Sequence, residues 1–303
     1  MNQLTGLIAA PFTPMHEDGS LNLDIIPAYA DFIAAKKCVT GVFICGTSGE
    51  SVSLTTEERK SVAEAWVKSA KGRMKVAVHV GGMSQPQCVD LAKHAQTVGA
   101  DAIAAMAPCF FKPTTICDLI DFFKPVAAGA SKLPFYYYNM PSITGVSLPA
   151  DKFLIEGKKE MPNLEGVKFT HNNIMEMMQC VNACHGMFDV LNGFDEILIA
   201  GLAAGAKGAV GSTYNYIPEI YKGVMDAMAA GNLEEARRMQ MKAVEIVDVL
   251  IKHGGGTRGG KIFMKLAGLD CGPCRLPISP CSQQELEETR RELEKTDFFK
   301  YAT

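Results

Sequence analysis

The segment LEGVKFTH (164–171) decides how this chain folds. It is a short apolar run without regular polar alternation, and it ends in polar residues. Such a run suits a strand covered on both faces, as in a parallel sheet. Seven more runs share its character: GLIAAPFTP (6–14), GVFICGTSGE (41–50), KVAVHVGG (75–82), ADAIAAMAP (100–108), PFYYYNMP (134–141), DVLNGFDE (189–196) and GAKGAVGSTYN (205–215). Each ends in Gly, Pro or small polar residues, where the chain can turn.

Helical patterns separate the runs. Residues 55–71 open with a capping box, Thr55 and Glu58, ahead of Val62, Ala63, Trp66 and Ala70. Residues 84–98 place Cys88, Leu91, Ala92 and Ala95 on one face, and 116–129 and 174–184 behave similarly. The seventh interval is the shortest, and its helix, EILIAGLAAG, is the weakest signal. Eight strand-like runs alternating with helices predict an α/β fold, a (β/α)₈ TIM barrel. The rival is a doubly wound open sheet, which the lack of a GxGxxG after the first strand disfavours. After residue 216 only helical patterns remain. Residues 232–253 start with a second capping box, Asn232 and Glu235; GGGTRGG (254–260) breaks the chain; 261–268 and 283–295 are helical. The expected division is a barrel over 1–230 and a C-terminal helical extension over 231–303, without a flexible linker.

Composition narrows the function. The 303 residues are 48% hydrophobic and 21% charged, with net charge −3, so no basic surface invites nucleic acid or an anionic membrane. The start, MNQLTGLIAAPFTP, has no basic region before an apolar stretch, and no run approaches the ~18 apolar residues of a membrane span. A cytoplasmic enzyme is expected. Ten cysteines show no disulfide spacing, and Cys271 and Cys274 form a single CxxC without a second pair. They read as a reduced loop pair.

In such a barrel the site lies at the C-terminal ends of the strands. Side chains alternate along a strand, so if Val167 and Phe169 face the helices, Gly166, Lys168 and Thr170 face the interior. Gly166 then leaves space beneath the lysine. Burial favours a neutral amine, which is the form that attacks a ketone. The competing reading is a strand-end lysine whose head snorkels to solvent. Tyr138, on the preceding strand, is placed to carry protons, although Tyr136, Tyr137 and Tyr138 together also suit simple strand packing. GTSGE (46–50) offers the hydroxyls of Thr47 and Ser48 and a possible nest of backbone N–H groups for a carboxylate; a tight βα turn explains it equally. Asp195 and Glu196 either accept hydrogen bonds from sugar hydroxyls or favour the start of the next helix. Ser212 poses the same choice between ligand and cap. His79, with no Asp or Cys partner in view, reads as a satisfied core histidine.

Taken together, GTSGE (46–50), YYNMPSITG (137–145), GVKFT (166–170) and GSTYN (211–215) resemble the dihydrodipicolinate synthase and N-acetylneuraminate lyase family over nearly the whole chain. The resemblance implies a Schiff-base aldolase. Lys168 matches its nucleophile, Tyr138 its catalytic tyrosine, and Thr47 and Ser48 the pair that holds the pyruvate carboxylate. Thr170, Gly193, Asp195, Glu196 and Ser212 match sugar-contacting positions of the sialic acid lyases. It further implies a homotetramer, sugar acid and pyruvate as ligands, and no metal or cofactor.

Within the family, synthases usually carry YNxPxRT, whose Arg binds a carboxylate. This chain reads YNMPSIT, with Ile143 in that place, and an aliphatic side chain cannot form that bidentate contact. Synthases and some lyases also carry a Tyr in the loop after strand four, where APCFF (107–111) has Phe110 and Phe111. The expected reaction is cleavage of N-acetylneuraminate to N-acetylmannosamine and pyruvate. The alternatives are another pyruvate-dependent aldolase acting on a 2-keto-3-deoxy sugar acid, a dihydrodipicolinate synthase, or a sugar-acid binder without catalysis.

Overall fold

The computed structural model describes residues 4–302. Eight strands, β1 (Gly6–Ala9), β2 (Val39–Ile44), β3 (Lys75–His79), β4 (Ala102–Met106), β5 (Phe135–Asn139), β6 (Leu164–Phe169), β7 (Asp189–Asn192) and β8 (Gly208–Gly211), close into a parallel barrel in sequence order. β8 pairs with β1 to complete it. The helices are α1 (Ile25–Ala35), α2 (Thr56–Ala70), α3 (Gln85–Val98), α4 (Ile116–Gly129), α5 (Pro141–Thr144), α6 (Ala150–Glu160), α7 (Ile174–Asn182), α8 (Leu198–Ala203) and α9 (Pro218–Ala229). The chain ends in α10 (Leu233–Lys252), α11 (Gly255–Leu266), α12 (Gln283–Leu293) and α13 (Phe298–Tyr301). Seven of the apolar runs contain one strand each and the eighth, 41–50, holds all but the first two residues of β2, so the predicted barrel with a helical extension is the observed fold.

Strand alternation sorts the apolar residues into two layers. Phe43, Ala77, Ala102, Ala104, Tyr136, Tyr138, Leu191 and Val210 fill the barrel interior. Val42, Ile44, Val167 and Phe169 pack outward against the helices. The alanines of β3 and β4 give room to the rings of β2 and β5, which keeps the interior dense. Gly166 has a sharper purpose than the space expected of it: a Cβ there would lie 2.0 Å from the Asp189 carbonyl oxygen, so β6 and β7 could not pair so closely.

The first capping box is complete. Thr55 Oγ1 accepts from Glu58 N at 3.2 Å, and Glu58 Oε2 accepts from Thr55 N at 2.8 Å. The second is half-made. Asn232 accepts from Glu235 N, but the Glu235 carboxylate turns to Arg238 instead.

One expectation holds only in part. The helix breaks at His253 and Gly254, where GGGTRGG begins, but the rest of that segment forms the first turns of α11. Gly254 and Gly255 have φ of 103° and 69°, a left-handed entry that glycine makes readily. Gly259 and Gly260 then serve close packing. A Cβ on Gly260 would sit 2.2 Å from the Phe12 ring, and one on Gly259 would sit 2.7 Å from the Leu250 carbonyl oxygen. Tertiary contact here overrides glycine's weak helix propensity.

The extension is welded to the barrel. Tyr216, Phe263 and Phe298 stack with ring centroids 5.2–5.7 Å apart. Arg275 forks onto Glu58 of α2 through two 2.8 Å bonds, a charge-assisted bidentate pair. Cys271 and Cys274 lie buried as free thiols, and burial pushes both up to about 12, which keeps them protonated and unreactive near neutral pH.

Candidate active site

At the C-terminal end of the strands a cavity of about 300 Å³ opens between barrel and extension. Thr47, Ser48, Tyr138, Lys168, Thr170, Gly193, Asp195, Glu196 and Ser212 all line it. The nine residues picked from sequence therefore share one space.

Lys168 points inward and is only 5% exposed. It does not snorkel. Its Nζ stands 4.0 Å from the centroid of the Tyr138 ring and 4.6 Å from that of Phe43. Its close neighbours are thus aromatic faces. Register explains the first contact, because Tyr138 and Lys168 are paired residues on adjacent strands β5 and β6. The Tyr138 ring is itself held edge-on by Phe43 and His79. Its hydroxyl lies 3.1 Å from Thr47 Oγ1 and donates to Met140 Sδ at 3.0 Å.

The turn after β2 presents Thr47 and Ser48. Two residues bracket it in the left-handed region, Cys45 (φ 55°) and Glu50 (φ 57°). Neither is glycine, so this backbone carries strain that the surroundings must hold. Those surroundings are specific. His79 Nδ1 lies 3.0 Å from the Cys45 carbonyl oxygen, and its Nε2 accepts from Met106 N at 3.2 Å. Nδ1 therefore carries the proton. Burial holds His79 well below the usual histidine range, with Arg59 and Lys168 adding to the effect. It is the satisfied core histidine expected. Glu50 is buried against Lys261 of α11, 2.8 Å away, and accepts from Arg275 N at 2.8 Å. Thr13 Oγ1 donates to the Gly49 carbonyl, and Thr257 Oγ1 to that of Thr47.

Across the cavity, the turns after β7 and β8 are tied together. Asp195 Oδ2 accepts from Thr213 N at 3.0 Å and Thr213 Oγ1 at 2.6 Å. A Cβ on Gly211 would lie 1.6 Å from Asp195 Oδ1, so only glycine lets this carboxylate lie against β8. Gly193 does the same for Thr170, whose Oγ1 would be 2.0 Å from a Cβ there; that oxygen is buried without a hydrogen-bond partner. Burial raises Asp195 above the usual carboxylate range, against the lowering pull of Thr213. Glu196 is also raised, by burial first and then by Asp195 beside it. Both acidic residues lie in a single 3₁₀ turn, Asp195–Ile197, just before α8, and both also line the cavity.

The sequence reading missed the far wall. Val247, Leu250, Ile251, Gly254, Gly256 and Thr257, all from α10, α11 and the link between them, also line the cavity. Ile251, in the last turn of α10, is 63% exposed beside buried Leu250. Met140, next to Tyr138, was missed too. Ile143 sits at the cavity lip. Phe110 and Phe111 lie outside the lining, 78% and 87% exposed, stacked edge-to-face with centroids 4.9 Å apart.

The profile of the dihydrodipicolinate synthetase family matches residues 3–296. N-acetylneuraminate lyase A of Xenopus laevis is 43% identical over 278 residues, covering 91% of each chain. The N-acetylneuraminate lyase of Proteus mirabilis superposes with a TM-score of 0.94 at 37% identity, over 98% of this chain and 100% of that one. The dihydrodipicolinate synthase of Aquifex aeolicus superposes with a TM-score of 0.90 at 29% identity, over 97% and 99%. Lyase and synthase thus share this backbone, and fold alone does not separate their reactions. Matches of this extent leave no doubt about ancestry: the chain belongs to the dihydrodipicolinate synthetase family.

Proposed function

We infer that this chain is a carbon–carbon lyase that cleaves N-acetylneuraminate to N-acetylmannosamine and pyruvate through a Schiff base. The observation that carries the reading is the register of β5 and β6. It sets the Lys168 amine against the Tyr138 ring while the Tyr138 hydroxyl reaches Thr47. Nucleophile, proton carrier and carboxylate-binding turn then meet within one small space.

The neutral Lys168 amine attacks the keto carbon of the open-chain sugar acid, and loss of water gives an iminium. That cation draws electrons from the bond between the third and fourth carbons. Tyr138 relays the proton of the hydroxyl on the fourth carbon, passing its own phenolic proton to the substrate carboxylate, as the bond breaks and the N-acetylated sugar leaves as an aldehyde. The enamine left on Lys168 is protonated, and water hydrolyses it to pyruvate and free lysine. One water leaves and one enters, so the balance closes. Thr47 and Ser48 hold the carboxylate. Thr170, Gly193, Asp195, Glu196 and Ser212 form the sugar end. Glu196 is better exposed for accepting sugar hydroxyls, since Asp195 already serves Thr213. Ile143 leaves no cation in the place where a synthase arginine would hold a second carboxylate.

Borohydride reduction in the presence of pyruvate is the direct test. Wild type gains the mass of a reduced pyruvate adduct, and Lys168→Ala does not. No adduct on wild type, or one on the alanine variant, ends the reading. A pyruvate-release assay comparing N-acetylneuraminate with shorter 2-keto-3-deoxy sugar acids then fixes the substrate. We further propose that the enzyme works in the cytoplasm as a homotetramer, as the family resemblance implies; light scattering of the purified protein tests the assembly. Among the described residues no helix is long and apolar enough to cross a membrane.

A further inference from the structure

We propose that Gln240, in the C-terminal extension, is a positioning residue that sets selectivity for the sugar end of the substrate. The proposal rests on the sialic acid reading above.

Gln240 lies on α10, outside the barrel, and is only 5% exposed. Its Nε2 donates to the Asp195 carbonyl at 3.1 Å, and its Oε1 accepts from Ile199 N at 3.0 Å. These two backbone groups are four residues apart. In an α-helix they would bond each other. Here the Gln240 amide stands between them and satisfies both. The Asp195 carbonyl takes the Leu198 N–H instead, which makes a tighter 3₁₀ turn. The chain kinks at Ile197, with φ −127° and ψ 29°, before α8 begins.

The kink has a consequence for the cavity. If Ile199 N bonded to Asp195 O directly, α8 would extend backward through Glu196. Successive residues would move toward helical spacing, and the two acidic side chains would turn relative to Thr213 and the cavity. The glutamine amide therefore acts as a wedge that keeps the 195–197 turn wound tight, with Asp195 held on Thr213 and Glu196 free to meet the sugar. The same helix lines the cavity with Val247, Leu250 and Ile251, so α10 both shapes the wall and braces the turn opposite. Nothing comparable ties Gln240 to Thr47, Tyr138 or Lys168.

The test separates the two ends of the substrate. Gln240→Met keeps the length and removes both hydrogen bonds. We expect kcat/KM for N-acetylneuraminate to fall roughly tenfold, mainly through KM, which is the scale of a hydrogen-bonding defect in one substrate contact. Turnover of a shorter 2-keto-3-deoxy sugar acid, which lacks the polyol tail, and borohydride trapping with pyruvate should change less than about twofold on the same scale. If Gln240→Met does not fold, Gln240→Glu serves: it keeps the shape and the acceptor but loses the donor to Asp195. Equal losses on the long and short substrates, or no loss on either, would overturn the assignment. Failure of wild type itself to form a pyruvate adduct would instead sink the sialic acid reading.

Discussion

The two ends of the cavity are built differently. The end carrying Tyr138 and Lys168 rests on strands, with Thr47 on the turn beside them. Its lysine and tyrosine are neighbours by register, the tyrosine ring is packed by Phe43 and His79, and the barrel interior leaves them one direction to point. The end carrying Gly193, Asp195, Glu196 and Ser212 rests on turns. Its side chains are placed by hydrogen bonds between loops, by missing Cβ atoms at Gly193 and Gly211, and by a glutamine from outside the barrel. A strand register can shift only by whole residues, and a slip turns every side chain to the other face. A turn can adjust by fractions of an ångström. On the assignment proposed above, the covalent chemistry falls on the part of the fold least able to change, and substrate choice on the part most able to.

The contrast can be broken most sharply at Lys168. Lys168→Ala should abolish adduct formation and lower turnover by on the order of 10⁴ or more, without loss of fold, as read by pyruvate release and circular dichroism. Tyr138→Phe keeps the ring beside the amine and removes the hydroxyl. The pyruvate adduct should still form, while cleavage falls by roughly 10³, the scale of a lost proton carrier. If adduct and cleavage fall together, the tyrosine serves the lysine instead of the bond-breaking step.

A third test probes what holds the strained turn at 45–50. Lys261→Met leaves Glu50 buried without its cation, and breaking such a pair costs about 3 kcal/mol or more. The expected result is a lowered denaturation midpoint together with a raised KM for pyruvate in the reverse reaction. An unchanged pyruvate KM would detach α11 from the carboxylate end.

The smallest expected effect is one of pH. Asp195 and Glu196 both have raised pKa values, so they take up protons at a higher pH than ordinary carboxylates do. On acidification the sugar end should lose its acceptors first. KM for N-acetylneuraminate should rise at a pH where pyruvate trapping, which needs neither residue, still follows its own profile. Coincident profiles would refute the division between the ends.

The strand-built end was legible in the sequence, and the turn-built end only in part. Side-chain alternation along LEGVKFTH turns Lys168 inward if Val167 and Phe169 face the helices, but it leaves open whether the amine snorkels to solvent. The acidic pair and Ser212 were visible as polar residues at strand ends. What braces them was not. Gln240 is an ordinary helix residue by pattern, and its partners are backbone groups some forty residues earlier, which no periodicity encodes. Gly259 and Gly260 misled outright. Glycine is read as a helix breaker through its backbone entropy, whereas here its value is the absent side chain facing Phe12 and Leu250.

The seat of Gly260 against Phe12 also has a bearing on synthesis. Phe12 is translated well before the helix that covers it, which lies beyond all eight strands. A nascent chain that has just completed β8 can pair it with β1, but it still lacks the cation for Glu50, the brace for Asp195 and one wall of the pocket. Competence therefore waits for α10 and α11, which supply the brace, the cation and that wall.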